Sequence, residues 1–189
     1  MNSKTLAAAA LAAVLHNAAF AAERDHDAHV HGHVLLQLAL DGHQLFLEMR
    51  SPAMNIVGFE HAAQSDADKA SVEAARKTLE HFTALYVVDQ GAHCRLKSVG
   101  VDSALLDDHD KHDDHGHEEH DHDKHGGDEH SEFHVRYVAV CQHPEALRKI
   151  AVNLFARFPS IEEIDVQIIS DSGQTALELG RDNPVIVLP

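Results

Sequence analysis

The chain of 189 residues is short of most features that announce an activity. It has one long apolar run, at its very start, so no later segment is apolar enough to span a bilayer. Lys and Arg together number 15 against 31 Asp and Glu, for a formal net charge of −16. A chain so poor in positive charge suits neither nucleic acid nor an anionic membrane surface, and its partners are cations. Cysteine is limited to Cys94 and Cys141, with no C-x-x-C spacing, which makes a poor zinc knuckle. The C-terminal part carries no nucleophile elbow, no phosphate loop and no H-E-x-x-H, so it reads as scaffold and the chain as not an enzyme.

What the chain does have is concentrated in 107–130, DDHDKHDDHGHEEHDHDKHGGDEH. This stretch holds eight His, eleven acids, two Lys and three Gly, with no apolar side chain. It accounts for −9 of the −16, so the acidity is local. Nothing in it can be buried, and it is expected to be a solvated, disordered loop. Solvation alone would need carboxylates but not imidazole, which is a favoured ligand for zinc, copper and nickel. His109, His112, His115, His117, His120, His122, His125 and His130 are therefore read as metal ligands of a collecting segment that takes several Zn(II) ions.

The start of the chain has the form of a secretory signal: Lys4, an apolar run from Leu6 to Leu15, and Ala19-Phe20-Ala21 as a cleavage site. Residues 1–21 are read as a signal peptide, and 22–189 as one zinc-binding α+β domain without membrane insertion. In an oxidising compartment the two cysteines read as a disulfide worth about 4 kcal/mol, against the rival reading of two thiolate ligands.

Along the domain, 34–40 and 45–49 alternate around Asp41-Gly42 and predict a hairpin that pairs Leu38 with Leu45, Leu36 with Leu47 and Val34 with Met49. The same parity puts His29, His31 and His33 on the opposite face, where H-x-H spacing brings two imidazoles onto one ion. That register places Arg50 opposite His33, which favours His29 and His31 as the pair. Glu60 and His61 form a compact pair of further ligands. Ser65-x-x-Asp68 predicts a capped amphipathic helix with Val72, Ala75, Leu79, Phe82 and Tyr86 on one face, stopped by Gly91. Strands are expected at 94–101 and 132–142, paired antiparallel with the disulfide at the base of the long loop and His134 at its rim, where it adds a fixed metal ligand to the mobile ones of the loop. A strand at 150–155, a hairpin about Asp171-Ser172-Gly173 and a last strand at 185–188 complete an antiparallel sheet carrying one packed helix.

Three segments carry a resemblance: SPAMNIVGFEHAA at 51–63, the cysteines bracketing the His/Asp loop, and LFARFPSIEEIDVQIISDSGQTALELG at 154–180. In these the sequence resembles the ZrgA-like family of exported, histidine-rich zinc uptake proteins, over nearly all of the mature chain. The resemblance implies a periplasmic zinc-binding protein that works beside a zinc ABC importer, in contact with it or its solute-binding component. It also raises the weight of Glu60 and His61. Two rivals remain: a buffer against excess zinc, copper or nickel, and a zinc hydrolase built on His29, His31 and His61 with Glu60 as base. Because imidazole titrates near about pH 6.5 and binds metal only when neutral, zinc affinity carried by histidine should fall below about pH 6.

Overall fold

The computed structural model describes residues 30–106 and 131–188. The signal peptide expected at 1–21 and the loop expected at 107–130 lie outside the described residues.

Alternation of apolar and polar side chains builds the first hairpin. Strand β1 (His33–Asp41) buries Val34, Leu36 and Leu38, and β2 (Gln44–Pro52) buries Leu45, Leu47 and Met49. The register differs from the sequence expectation by two residues: Leu36 faces Met49, Leu38 faces Leu47 and Leu40 faces Leu45. The turn residues are Gly42 and His43, with Gly42 at φ 53°. Glycine accepts that left-handed geometry at the first loop position without strain. A slip of two keeps every apolar residue on the same face, so matching apolar pairs could not tell the registers apart. One consequence is chemical: Arg50 lies opposite Leu35, not His33.

After β2 come a short helix α1 (Ala53–Val57), ended by Gly58 at φ 85°, and the long helix α2 (Asp66–Glu80). The expected capping box is present, with Asp68 N donating to Ser65 Oγ at 3.0 Å and Ser65 N to Asp68 Oδ2 at 3.3 Å. Such a cap contributes about 1 kcal/mol. Val72, Ala75 and Leu79 bury the inner face. The helix does not run on to Gly91: it ends at Glu80, a turn α3 (Phe82–Leu85) follows, and Tyr86 opens strand β3 (Tyr86–Val88). A strand partner for Tyr86-Val87-Val88, supplied 60-odd residues later, overrides the helical periodicity.

Strands β4 (Cys94–Asp102) and β5 (Glu132–Cys141) pair antiparallel as expected. The strand expected at 150–155 is cut short. Strand β6 (Lys149–Val152) stops where Asn153 N donates to Leu85 O (2.8 Å) and its side chain to Ala84 O (3.1 Å), and helix α4 (Leu154–Arg157) takes over. The chain ends with β7 (Glu163–Ser170), β8 (Gly173–Gly180) and β9 (Val185–Val187).

The main sheet has six strands in the order β4-β5-β2-β1-β7-β8 and is mixed, not wholly antiparallel, because β1 and β7 run parallel. A second sheet, β3-β6-β9, lies with the helices over one face of the first. Between these layers sits one α+β core, with Leu36, Leu47, Met49, Phe133, Ile164, Leu79 and Ile150 inaccessible to solvent. Each such side chain contributes about 1.5–3 kcal/mol on burial.

The disulfide Cys94–Cys141 forms, with Cys141 fully buried. Its place corrects the expectation. Cys94 begins β4 and Cys141 ends β5, so the bond closes the open end of the β4–β5 hairpin. Asp102 and His134 form the last ladder pair beside 107–130, and the disulfide lies at the far end from it.

Candidate metal centre

The registers gather the first residues of β1, β5 and β7 and the last of β2, β4 and β8 at one end of the main sheet. Leu106 and Ser131, which flank 107–130, lie at that same end. A buried asparagine organises it. Asn55, on α1 and 3 % exposed, accepts from Gly32 N at 2.7 Å and donates to His33 O at 2.8 Å. Gly32, at φ 88°, makes a turn closed by His33 N donating to Val30 O. Its carbonyl accepts from Glu162 N (2.7 Å) and Glu163 N (3.1 Å), which ties the start of β1 to β7. The turn also takes His31 out of the strand, so His31 and His33 do not alternate along a straight H-x-H as the sequence suggested.

The two histidines find separate acidic partners. His31 Nε2 lies 3.1 Å from Glu60 Oε1, on the segment that continues from α1. His61 does not join them: its ring stacks on Phe59 at 4.7 Å between centroids and its Nδ1 lies 3.0 Å from Ala62 O. His33 Nδ1 lies 3.2 Å from Glu163 Oε1 across the parallel β1–β7 pair. Asp165 stands two residues further on the same face, and one ligand atom from each of His33, Glu163 and Asp165 lies within 4.8 Å of the others.

The local electrostatics favour a cation beside this trio. The half-buried Glu163 carboxyl is held above its usual value, first by desolvation and then by the nearby Glu178 and Asp165, while His33 acts the other way. Glu178 stands opposite Asp165 on β8. Crowded carboxylates of this kind are relieved by a shared proton or a shared metal ion. One imidazole nitrogen and two carboxylate oxygens are a donor set that suits zinc. Sequence reasoning missed Glu163, Asp165 and Glu178. The visible signal was E-x-D on β7, with the period-2 spacing of H-x-H.

His134 belongs to a neighbouring charge row on the same face. Its Nε2 lies 2.8 Å from Glu48 Oε1. Against a desolvation that raises it, Glu48 is held low by His134 and Arg50. Arg50 pairs with Glu48 at 3.3 Å and Arg136 with Asp102 at 2.7 Å, so both cations are engaged away from the His33 cluster. Further along this face, a concavity of about 680 Å³ is lined by apolar residues such as Phe46, Ile169 and Ala176 together with Gln37, Gln167, Glu48 and Arg136.

His29 and the eight histidines from His109 to His130 lie outside the described residues. No curated protein matches the chain. The family model for ZrgA family zinc uptake protein matches residues 28–188, and the chain belongs to that family.

Proposed function

We propose that the protein captures Zn(II) in the periplasm and supports its delivery to a zinc ABC importer, through contact with the importer or its solute-binding component. Zinc is here the cargo, not a catalytic cofactor. The observation that carries this reading is the convergence at one sheet end: the His33–Glu163–Asp165 cluster, the His31–Glu60 pair and both flanks of the His-rich 107–130 segment share it. The segment gathers ions through many exchangeable ligands, each too weak to retain one for long. The cluster, mounted on two hydrogen-bonded strands, is preorganised and holds one ion more firmly. An ion then passes from the first to the second without leaving that end of the molecule.

Native mass spectrometry with zinc-competition titration of the mature chain tests this. Deleting 107–130 should lower the number of bound zinc ions and leave the unfolding transition largely intact. His33→Ala should remove the tightest site and spare the remainder. Unchanged stoichiometry in the deletion variant would defeat the proposal. Growth under chelation supplies the transport readout: a strain lacking the protein should need more zinc, and one indifferent to chelator would rule out the uptake role.

A further inference from the structure

We infer that a second divalent-cation site lies at the opposite end of the sheet, formed by the imidazoles of His93 and His143 with the Glu145 carboxylate, and held in shape by the Cys94–Cys141 disulfide. It is independent of the zinc-capture reading.

The two imidazoles come from separate segments, which the fold locks together. His93 caps the turn Gln90–Ala92 at φ 49°, the one non-glycine residue with positive φ among the described residues. Such a conformation costs about 1–2 kcal/mol and is kept only where surrounding contacts impose it. Here they do. His143 N donates to Ala92 O at 3.1 Å, Cys94 follows His93 directly, and Cys141 precedes His143 by two residues. The His93 and His143 rings stand edge to face with centroids 5.7 Å apart. Two imidazoles on one tetrahedral zinc, with Zn–N near 2.0–2.1 Å, have centroids roughly 5 Å apart, close to the spacing here. The donor atoms of all three side chains do not lie within 4.8 Å of one another as the rings stand, so binding an ion requires these exposed side chains to reorient.

Glu145 Oε1 lies 3.5 Å from His143 Nδ1 and provides the oxygen donor. All three side chains are exposed, so the site exchanges ions freely and leaves a position for water. His43 approaches from the β1–β2 turn but is already engaged: its Nδ1 lies 2.8 Å from Cys141 O, while its own carbonyl accepts from Cys141 N. Two nitrogens and one oxygen suit zinc, copper(II) or nickel(II). The disulfide fixes the spacing of the ligand-bearing segments, so its reduction loosens the site.

Histidine acylation by diethyl pyrocarbonate, read peptide by peptide on the full mature chain with and without zinc, separates this site from those at the other end. At zinc ten times the dissociation constant, His93 and His143 should both react about tenfold more slowly. His143→Ala should return His93 to its metal-free rate while zinc still protects His33. Glu145→Gln, which deletes no ring and cannot perturb the core, should raise the zinc concentration for half-protection several-fold, as should reduction and alkylation of the disulfide. The inference is overturned if His93 reacts equally fast with and without saturating zinc, or if its protection survives loss of His143. Failure here with His33 still protected would leave the zinc-capture proposal standing.

Discussion

Removing the disulfide tests both the energetics of the fold and the position of its proposed metal-binding end. Cys94 and Cys141 are 47 residues apart, and the chain-entropy model gives about 4 kcal/mol for closing a loop of that length. Replacing both with Ala should therefore cost about 4 kcal/mol; with a urea dependence of about 2 kcal/mol per molar, the midpoint falls by about 2 M. The ladder from the disulfide to Asp102↔His134 covers eight residue-to-residue steps of β4 at about 3.3 Å each, or about 26 Å. Zinc protection of His33 should accordingly be untouched while the variant remains folded. Urea denaturation followed by circular dichroism, with zinc titration below the new midpoint, measures both. A midpoint shift under roughly 0.5 M would mean that the intervening chain is already restrained in the unfolded state. Loss of the His33 site would mean that the disulfide, and not the strand ladder, organises the loop end.

Three further outcomes are expected. Because the folded state raises the Glu163 pKa above its ordinary 4.5, folded protein binds that proton more tightly than unfolded, and this group lowers stability as pH rises from about 4.5 through the raised value. Glu163→Gln should therefore raise the apo melting temperature at pH 7 more than at pH 4 while weakening zinc binding, and an equal shift at both would refute the repulsion argument. The Tyr86 hydroxyl is buried with no hydrogen-bond partner among the described residues, whereas Tyr137 donates to Leu79 O at 2.5 Å. Tyr86→Phe should be neutral or stabilising and Tyr137→Phe should cost about 1 kcal/mol, a contrast that thermal melts of the two variants would expose. Gly32→Ala puts a Cβ 3.2 Å from Glu162 Cγ at φ 88°, so it should cost about 1–2 kcal/mol and weaken the His33 site; wild-type stability and affinity would contradict the turn geometry.

The sequence by itself determined what is local. The capping box placed the start of α2, period-2 alternation assigned the faces of β1, β2, β5 and β7, and the cysteine-bearing strands could be paired by their parity. Each depends on neighbours within a few residues, so short-range sterics and burial suffice. Alternation fixes which face a residue occupies but not which strand lies beside it. It could not choose between hairpin registers two apart, and so it set Arg50 against His33. It could not see that β7 would line up parallel to β1 and bring Glu163 and Asp165 to a histidine 130 residues earlier in the chain. The disulfide was legible as a pair, and its closing of the end away from the long loop follows from the antiparallel pairing itself, because Cys94 opens β4 and Cys141 ends β5. The candidate metal-binding face is thus written in the sequence only as scattered imidazoles and carboxylates, and the long-range strand order assembles them, because a coordination site needs donors a few ångströms apart whatever their separation along the chain.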